Sequence, residues 1–383
     1  MEKIKVMTIF GTRPEAIKMA PLIKALEKND DIISKVCVTA QHRQMLDQVL
    51  AVFNIKPDYD LNIMKERQSL SGITSSALMG LEGVIKDEKP DIVLVHGDTT
   101  TTFAGSLAAF YNKVKVGHVE AGLRTFDKYF PYPEEMNRCL TSRIADLHFA
   151  PTSLAMNNLL REGIDERNIF VTGNTVIDAM ASTVDKNYTF SNETLRNLDF
   201  KKRKVIFITA HRRENWGEPL ENICNGLKEI AEKYQDVEIV YLVHLNPVVQ
   251  DTANSILGGL DRVHLLPPLD IKETHNLMDR CYMVMTDSGG LQEEAPNLGK
   301  PVLVLRDVTE RPEAVKAGTV KVIGTNKDRI VKEASALLED KNEYGLMSKA
   351  VNPFGDGKAS SRIVDAITYY FGLKKQRPKQ FII

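Results

Sequence analysis

The chain has 383 residues, 43% of them hydrophobic, and 50 lysines and arginines against 51 acidic residues leave a formal net charge of -1. This length exceeds the size at which a single core usually stops growing, so two domains are expected. The balanced charge gives no electrostatic case for a nucleic-acid or membrane partner. Because the sequence has neither a membrane-spanning apolar run nor a signal peptide, it predicts a cytoplasmic protein.

Short apolar runs rich in β-branched residues alternate with helical stretches in both halves of the chain. Runs that are apolar on both faces predict parallel strands covered by helices on each side, so the fold class is α/β with two doubly wound Rossmann-like domains. Their facing sheets would form an interdomain cleft. The predicted strands are, in chain order, KVMTIF, KVCVTA, DIVLVHGD, KVGHVEAG, DLHFAP, NIFVTG, KVIFITAH, EIVYLVH, RVHLLPPL, YMVMTDSG, PVLVL and TVKVIG.

Breaks in this alternation predict the domain boundaries. We expect a first domain over residues 1–183 and a second, nucleotide-binding domain over residues 184–358. The polar residues 184–203 are interpreted as the interdomain crossing, and a C-terminal helix over residues 359–383 is expected to rejoin the first domain. The tail LKKQRPKQ is predicted to be mobile.

The first predicted strand runs into GTRPEAIKMAPLIKAL, a turn followed by a helix. Gly11 permits a tight turn, and Arg13 and Lys18 lie near the helix start. Cations at this end of a helix oppose its dipole, so their placement suggests a bound anion, and both can face a diphosphate. The alternative is that both are solvated surface residues.

Acidic residues follow two predicted strands of the first half. Asp98 comes after DIVLVHG and before four threonines, so taken alone it is most simply a helix N-cap. Glu120 ends GHVE and is followed by Ala121 and Gly122, where capping explains a charge less well. Glu134 and Glu135 follow a segment with two prolines, and one of them can cap the next helix.

His211 ends the first strand of the second half and is followed by Arg212 and Arg213. A histidine at a strand end is commonly structural. Two adjacent cations disfavour protonation of an imidazole unless an anion neutralises the group, and a bound diphosphate would supply that anion. The sequence therefore suggests that His211 lies near a diphosphate.

Residues 286–305, TDSGGLQEEAPNLGKPVLVL, predict a strand end, an anion-binding turn, a helix and the next strand. Ser288, Gly289 and Gly290 offer a hydroxyl and unobstructed backbone N–H groups at a helix N-terminus, where the dipole favours an anion. Glu294 lies one turn further on, within reach of a ribose diol. Arg311 is a further candidate cation, with a surface role as its alternative.

The sequence lacks the motifs of several common kinds of site. Neither half has G-x-G-x-x-G after a strand, and FGDGK lacks the spacing of a Walker A loop, so nicotinamide redox and P-loop hydrolysis are not expected. The four cysteines form no C-x-x-C pair, which predicts neither a disulfide framework nor a zinc site. They are Cys37, Cys139, Cys224 and Cys281.

Further motifs are HGDTTTTFAGSLAAF, VGHVEAGLRTFDKYFPYPEEMNR, TAHRRENWG and LRDVTERPEAVKAGTVKVIGT. With these, the chain resembles the non-hydrolysing UDP-N-acetylglucosamine 2-epimerases of the bacterial type over nearly all of residues 5–371. The resemblance implies a GT-B-like homodimer without metal or redox cofactor. It also implies that UDP-GlcNAc and UDP-ManNAc are interconverted at C2, supplying ManNAc units for cell-surface polysaccharides.

The resemblance implies roles for individual residues. Asp98, Glu120 and Glu134 would act collectively as acid/base residues, with Glu135 left as surface or supporting residue, and His211 would stabilise the leaving diphosphate. The implied UDP-sugar contacts are Arg13, Lys18, Leu269, Thr274, Ser288, Gly289, Gly290, Glu294 and Arg311. A second UDP-GlcNAc would bind an allosteric set, which comprises Gln41, His42, Gln44, Arg67, Arg212 and His244.

Three alternatives remain open from the sequence. A GT-B glycosyltransferase would share the architecture and the phosphate turn, and a hydrolysing epimerase would release free ManNAc and UDP. A non-catalytic UDP-sugar sensor would not require several acids beside the sugar. Leu242 stands where the family pattern has proline, which affects a local turn and no proposed ligand.

Overall fold

A computed structural model describes residues 3–41, 43–65 and 68–382. The chain folds into two compact units, Met1–Ser182 together with Phe354–Ile383, and Thr183–Pro353. Each unit is an α/β structure built on its own parallel sheet. In the described part of the chain, no helix is long and apolar enough to cross a membrane.

The strands are short and mostly buried. In chain order they are β1 (Ile4–Phe10), β2 (Ile32–Val38), β3 (Tyr59–Asp60), β4 (Ile92–His96), β5 (Lys115–Val119), β6 (Leu147–Ala150), β7 (Ile169–Val171), β8 (Lys204–Thr209), β9 (Val237–Leu242), β10 (Val263–Leu266), β11 (Met283–Thr286), β12 (Val302–Val304) and β13 (Val320–Val322). All twelve predicted strands are present. The two-residue β3 is the additional one.

Helices connect successive strands, with 3₁₀ turns at Glu166–Asn168 and Arg213–Asn215. In chain order the helices are α1 (Arg13–Glu27), α2 (Arg43–Val52), α3 (Leu70–Glu88), α4 (Thr100–Tyr111), α5 (Glu134–Ile144), α6 (Ser153–Arg161), α7 (Thr175–Thr183), α8 (Glu193–Asn197), α9 (Glu218–Lys233), α10 (Pro247–Leu257), α11 (Ile271–Arg280), α12 (Gly289–Asn297), α13 (Pro312–Ala317), α14 (Lys327–Glu339), α15 (Lys341–Ser348) and α16 (Ala359–Tyr370).

The strand order of each sheet identifies the edge where a ligand can bind. Among the described residues, the first sheet has the order β3-β2-β1-β4-β5-β6-β7 and the second β10-β9-β8-β11-β12-β13, with parallel pairing throughout. The order reverses between β1 and β4, and again between β8 and β11. Open α/β sheets bind ligands beyond the strand ends at such switch points. This confirms the predicted fold class of two doubly wound Rossmann-like domains.

The second unit ends at Pro353 rather than at residue 358, and the last helix ends at Tyr370 rather than at residue 383. Asp178 explains the start of this helix, because its carboxylate accepts hydrogen bonds from the backbone N–H groups of Ala359 (3.1 Å) and Ser360 (2.7 Å). These N–H groups have no partner within a helix, so a side chain from elsewhere in the first unit caps them.

The C-terminal tail is docked, in contrast to the predicted mobility. Phe381 N–H donates to the Val171 carbonyl at 2.8 Å, and Gln380 Oε1 accepts from Val171 N–H at 3.2 Å. The Arg377 guanidinium lies 4.4 Å from the Phe170 ring centroid and donates to the Ile169 carbonyl. These contacts satisfy the backbone of β7, the edge strand of the first sheet, and so protect that edge from other chains.

Residues 184–203 are also more structured than a simple crossing. They include α8 and pack within the second unit through Glu273, a buried residue of α11. Glu273 Oε1 accepts hydrogen bonds from the backbone N–H groups of Ser191 (2.5 Å) and Asn192 (3.1 Å). One buried carboxylate therefore fixes the turn that leads into α8.

Three buried histidines in the core of the first sheet make the stability of the folded chain depend on pH. Burial lowers the pKa of His118 from 6.5 to about 3, and those of His96 and His148 to about 4. Well above pH 6.5 these side chains are neutral in both folded and unfolded chains and do not make stability depend on pH. As the pH falls below 6.5, the unfolded chain binds protons that the folded chain cannot, so stability is lost down to about pH 3.

We expect His118→Gln to reduce this acid sensitivity. The glutamine Nε2 can occupy the position of the imidazole Nε2 and still donate to the Gly97 carbonyl, which lies 2.7 Å from His118 Nε2. Urea titrations of wild type and variant between pH 7 and pH 4, followed by circular dichroism, should show a shallower pH slope in the variant by about 1 kcal/mol per pH unit. Carboxylates contribute equally to both proteins, so parallel slopes would contradict a neutral, buried His118.

Candidate functional site

Glu120 accepts hydrogen bonds from two side chains of the first unit and lies beside a third. Its Oε1 accepts hydrogen bonds from Lys18 Nζ and from Asn174 Nδ2, the latter at 2.7 Å. His96 Nε2 lies 3.5 Å from the other oxygen, Oε2. The backbone of Glu120 has φ +63°, a region that costs energy for a non-glycine residue and is concentrated at functional sites. Glu120 therefore has a fixed position at the C-terminal end of β5.

Lys18, which the sequence predicted to face a diphosphate, forms an ion pair with Glu120. The side chains of Lys18 and Glu120 are 18% and 8% exposed, so water screens the pair only weakly. Asn174 is fixed in turn, because its backbone N–H donates to the Phe354 carbonyl at 2.6 Å. The position of Glu120 thus depends on segments far apart in sequence.

The turn before α1 is occupied by a carboxylate of the protein itself. Glu15 Oε2 accepts hydrogen bonds from the backbone N–H groups of Gly11 (3.0 Å) and Thr12 (2.8 Å), and Oε1 accepts from the hydroxyl of Thr99 at 2.7 Å. Burial raises the pKa of Glu15, which these hydrogen bonds partly offset. Because Glu15 uses these N–H groups, the candidate anion-binding group of this turn is Arg13, which is half-buried at the start of α1.

Gly11 is required for a different reason from the predicted tight turn. A Cβ atom at this position would lie 2.1 Å from Thr39 Oγ1 and 2.6 Å from Thr101 Oγ1. Any side chain would therefore displace the two threonines, whose hydroxyls are hydrogen-bonded to each other at 2.8 Å. Gly11 lets β1, β2 and α4 approach closely at the switch point.

Asp98 follows β4 and pairs with Arg138 of α5. It does not cap α4, because Thr99 is the N-cap and accepts from Thr102 N–H. Burial raises the pKa of Asp98, the Arg138 guanidinium lowers it, and the nearby Glu120 carboxylate raises it further, with a net upward shift. The raised pKa keeps a proton on Asp98 to higher pH than on an ordinary aspartate.

The two glutamates at the start of α5 have different surroundings. Glu134 is half-buried, whereas Glu135 is buried rather than at the surface. The Glu135 carboxylate accepts hydrogen bonds from the backbone N–H groups of Thr125 (3.1 Å) and Phe126 (3.0 Å) and lies 3.3 Å from Arg138 Nη1. Glu135 therefore organises the loop that precedes Glu134.

In the second unit, His211 follows β8 and meets Asp287, which follows β11. The His211 Nδ1 atom is 3.4 Å from Asp287 Oδ1. The imidazole also stacks on His244, with ring centroids 5.4 Å apart and planes inclined by 12°. Burial lowers the pKa of His211; Asp287 raises it, and His244 and Arg212 lower it further. The structure thus brings together a residue predicted as catalytic and two predicted as allosteric.

The start of α12 carries the features expected of an anion site. Ser288 is the N-cap, and its side chain makes no capping hydrogen bond. A Cβ at Gly289 would lie 3.7 Å from Arg311 Nη2, which places the guanidinium over the first turn. Glu293 pairs with Arg311 and fixes its orientation. Helix N–H groups and a guanidinium together favour a diphosphate.

Glu294, the candidate ribose-binding residue, lies next to His275. His275 Nε2 lies 3.4 Å from Glu294 Oε2, and the His275 Nδ1 atom is hydrogen-bonded to Thr183 Oγ1 at 2.6 Å. Leu269 and Thr274 are half-buried just before and within α11. The Thr274 hydroxyl donates to the Asp270 carbonyl at 2.7 Å, so its oxygen can still accept.

The predicted allosteric residues of the first unit are only partly described. His42 and Arg67 lie outside the described residues, as does the side chain of Gln44. Gln41 is half-buried after β2, with Oε1 3.4 Å from Thr101 Oγ1. Within the described residues, no cluster of His, Cys, Asp and Glu could hold a metal ion.

Comparison with known proteins identifies the family. A family model described as UDP-N-acetylglucosamine 2-epimerase matches residues 24–368. The chain belongs to this family. It is 59% identical over 381 residues to the UDP-N-acetylglucosamine 2-epimerase of Bacillus subtilis, covering 100% of this chain and 99% of that protein. To the enzyme of Escherichia coli K12 it is 56% identical over 371 residues, covering 95% and 98%.

A solved structure of the family is similar over almost the whole chain. The UDP-GlcNAc 2-epimerase from Neisseria meningitidis, crystallised with UDP-GlcNAc bound, matches with a TM-score of 0.85 and 52% identity, covering 96% of this chain and 100% of that one. These findings confirm the predicted family. They also confirm an enzyme of the epimerase class, in preference to a glycosyltransferase or a non-catalytic sensor.

Proposed function

We propose that this protein interconverts UDP-GlcNAc and UDP-ManNAc by reversible, non-hydrolytic epimerisation at C2, supplying ManNAc units for cell-surface polysaccharides. The observation that carries the proposal is Glu120, a strained carboxylate fixed by Lys18 and Asn174 beside Asp98. A protein that only binds a UDP-sugar does not require two electrostatically coupled carboxyl groups at the ends of strands. The bound UDP-GlcNAc in the Neisseria relative supports the choice of substrate.

The reaction proceeds by elimination and re-addition of UDP. The C2 proton of an acetamido sugar is not activated by a carbonyl, so a carboxylate alone would face an excessive barrier. As the C1–O bond breaks, UDP leaves with the bonding electrons, the C2 proton passes to a carboxylate, and a C1–C2 double bond gives 2-acetamidoglucal. UDP then adds to C1 while C2 receives a proton on the opposite face.

The residues of this scheme have separate proposed roles. Asp98, Glu120 and Glu134 serve as acid/base residues on the sugar, and Arg13 contributes charge towards the diphosphate. In the second unit, the start of α12 with Ser288, Gly289, Gly290 and Arg311 binds the diphosphate, and His211 stabilises it as it leaves. The remaining nucleotide contacts are assigned to the backbone around Leu269 for uracil and to Glu294 for ribose, with Thr274 as a further UDP-sugar contact.

We also propose an effector site for a second UDP-GlcNAc, formed by Gln41, His42, Gln44, Arg67, Arg212 and His244. The stack of His244 on His211 supports this proposal. An effector that contacts His244 would touch the side chain packed against His211, the residue proposed to stabilise the diphosphate. Such a ligand changes the rate only if it binds the active and inactive states with different affinities.

The protein is further proposed to be a cytoplasmic homodimer. Large apolar side chains are exposed on the adjacent helices α3 and α4, namely Met79 (71%), Phe110 (59%) and Tyr111 (60%). These side chains support self-association, since exposed apolar clusters commonly mark protein interfaces. Sedimentation velocity distinguishes the dimer from a monomer.

Proton NMR in D₂O tests the proposed function. Starting from UDP-GlcNAc, we expect both epimers to acquire deuterium at C2, with 2-acetamidoglucal and UDP appearing slowly. Free ManNAc in place of UDP-ManNAc would indicate the hydrolysing reaction. Epimerised product that retains the original C2 hydrogen would exclude a solvent-exchangeable carboxylate as base. In a second arm, purified UDP-ManNAc alone should react slowly until UDP-GlcNAc is added. Immediate hyperbolic conversion would contradict the effector site alone.

A further inference from the structure

Asp287 is a buried carboxylate that supports the turn carrying His211. It follows β11 and has no exposed surface. Its Oδ2 accepts hydrogen bonds from the backbone N–H groups of His211 and Arg212, both at 2.7 Å, and from Asn215 Nδ2 at 3.0 Å. These three donors fix the carboxylate and the backbone at the end of β8. Only the second oxygen can therefore serve the His211 ring.

That second oxygen, Oδ1, is buried and has no hydrogen-bond partner. A buried carboxylate oxygen without a donor is unfavourable. His211 Nδ1 lies 3.4 Å away, so a small rotation of the imidazole closes the gap when Nδ1 carries a proton. The geometry therefore favours the neutral tautomer that carries its proton on Nδ1. It also stabilises the imidazolium that forms when Nε2 binds a second proton.

Other groups around His211 oppose its charge. His244 stacks on one face, and its Nδ1 accepts from Asn246 N–H at 3.1 Å. Burial lowers the pKa of His211 most, Asp287 raises it, and His244 and Arg212 lower it. The Asp287 carboxylate therefore offsets, at His211, the opposing effects of His244 and Arg212. A bound diphosphate would add negative charge and so, like Asp287, would favour the protonated His211 ring.

We propose that Asp287 is a positioning residue that keeps the Nδ1 proton on His211, so that the ring binds a second proton and donates from Nε2 to the leaving diphosphate. This inference rests on the proposed function for the role of His211 in turnover. With Nδ1–H held by the carboxylate, neutral Nε2 carries only a lone pair, which repels a diphosphate oxygen. Nucleotide binding is thus coupled to proton uptake at Nε2.

Asp287→Asn separates this role from simple support of the backbone. The asparagine oxygen can replace Oδ2 as acceptor for the two backbone N–H groups, which leaves its NH₂ group facing His211 Nδ1. The NH₂ group donates, so Nδ1 must accept and the neutral ring carries its proton on Nε2. Asn215→Ala is the matched control, because it removes a partner of Oδ2 and leaves Oδ1 in place.

The decisive measurement is nitrogen NMR of the His211 ring in the full-length protein, assigned by the loss of its signals in His211→Gln. In wild type we expect the Nδ1–H tautomer at high pH and, with saturating UDP, an imidazolium that persists to higher pH. In Asp287→Asn we expect the Nε2–H tautomer and a pKa lower by about one unit or more. Asn215→Ala should retain the wild-type tautomer.

Kinetics give an independent readout. We expect Asp287→Asn to lower kcat by about 10²-fold with KM changed less than threefold. Its neutral ring still donates from Nε2 but lacks the imidazolium charge, which stabilises the leaving group most in the transition state. The high-pH limb of kcat should move to lower pH. An Nε2–H tautomer in wild type would overturn the proposal even if Asp287→Asn did not fold. Absence of epimerisation in wild type would instead contradict the proposed function and leave the tautomer result standing.

Discussion

Replacing Glu120 with glutamine should lower the rate of epimerisation by about 10²–10⁴-fold, the usual effect of removing a positioned acid/base group. Glutamine has nearly the same size and can still accept from Asn174, whose Nδ2 lies 2.7 Å from Glu120 Oε1. It cannot take a proton from C2, and it leaves Lys18 without its partner carboxylate. Deuterium incorporation at C2 measured by NMR should fall in parallel with turnover for the epimer whose C2 proton Glu120 removes.

A matched control is available at the opposite end of the same sheet. Glu88 pairs with Lys5 at 2.9 Å near the start of β1, with a side chain 11% exposed, so Glu88→Gln removes a comparable ion pair far from the strand ends that carry the site. We expect it to keep near wild-type turnover. If Glu120→Gln also turned over normally, Glu120 would be withdrawn as an acid/base residue and its role would pass to Glu134.

The fold was predictable because its strands carry a strong local signal. Runs such as DIVLVHGD and KVIFITAH are apolar on both faces, a pattern that only parallel strands covered by helices explain well. Asp60 and Tyr59 form a two-residue edge strand that pairs with β2, too short for any such pattern. The docked tail was also missed, because its contact from Phe381 to Val171 depends on a distant edge strand that composition does not reveal.

The candidate site was predictable at the level of individual polar residues but not of their partners. Asn174 and Lys18 lie 54 and 102 residues from Glu120 in sequence, so their contacts with it arise only from strand order. Asp287 lay inside a motif interpreted through its serine and glycines, and its contact with His211 was hidden. Glu15 had a readable signal, since Thr12 and Glu15 have the spacing of a capping box.

Replacing Asp98 with asparagine should lower turnover by at least a few hundredfold, because the pair formed with Glu120 divides acid and base roles between two carboxyl groups. The net upward pKa shift of Asp98 keeps its protonated form present at higher pH than for an ordinary aspartate. If that form is the proton donor, wild-type activity falls as pH rises through this pKa. The asparagine variant should lose this limb of the pH–rate profile.

Deuterium exchange can assign the face of the sugar that each carboxylate serves. We expect Asp98 and Glu120 to serve opposite faces of the sugar. A variant that lacks one of them can then remove and return the C2 proton only on the face of the other, so it exchanges one epimer without converting it to the other. We therefore expect Asp98→Asn and Glu120→Gln to retain exchange with opposite epimers. Asp146→Asn is the control, since Asp146 pairs with Lys115 at 2.9 Å at the other end of β5. Equal loss of exchange from both epimers in Asp98→Asn would show that Asp98 acts away from C2.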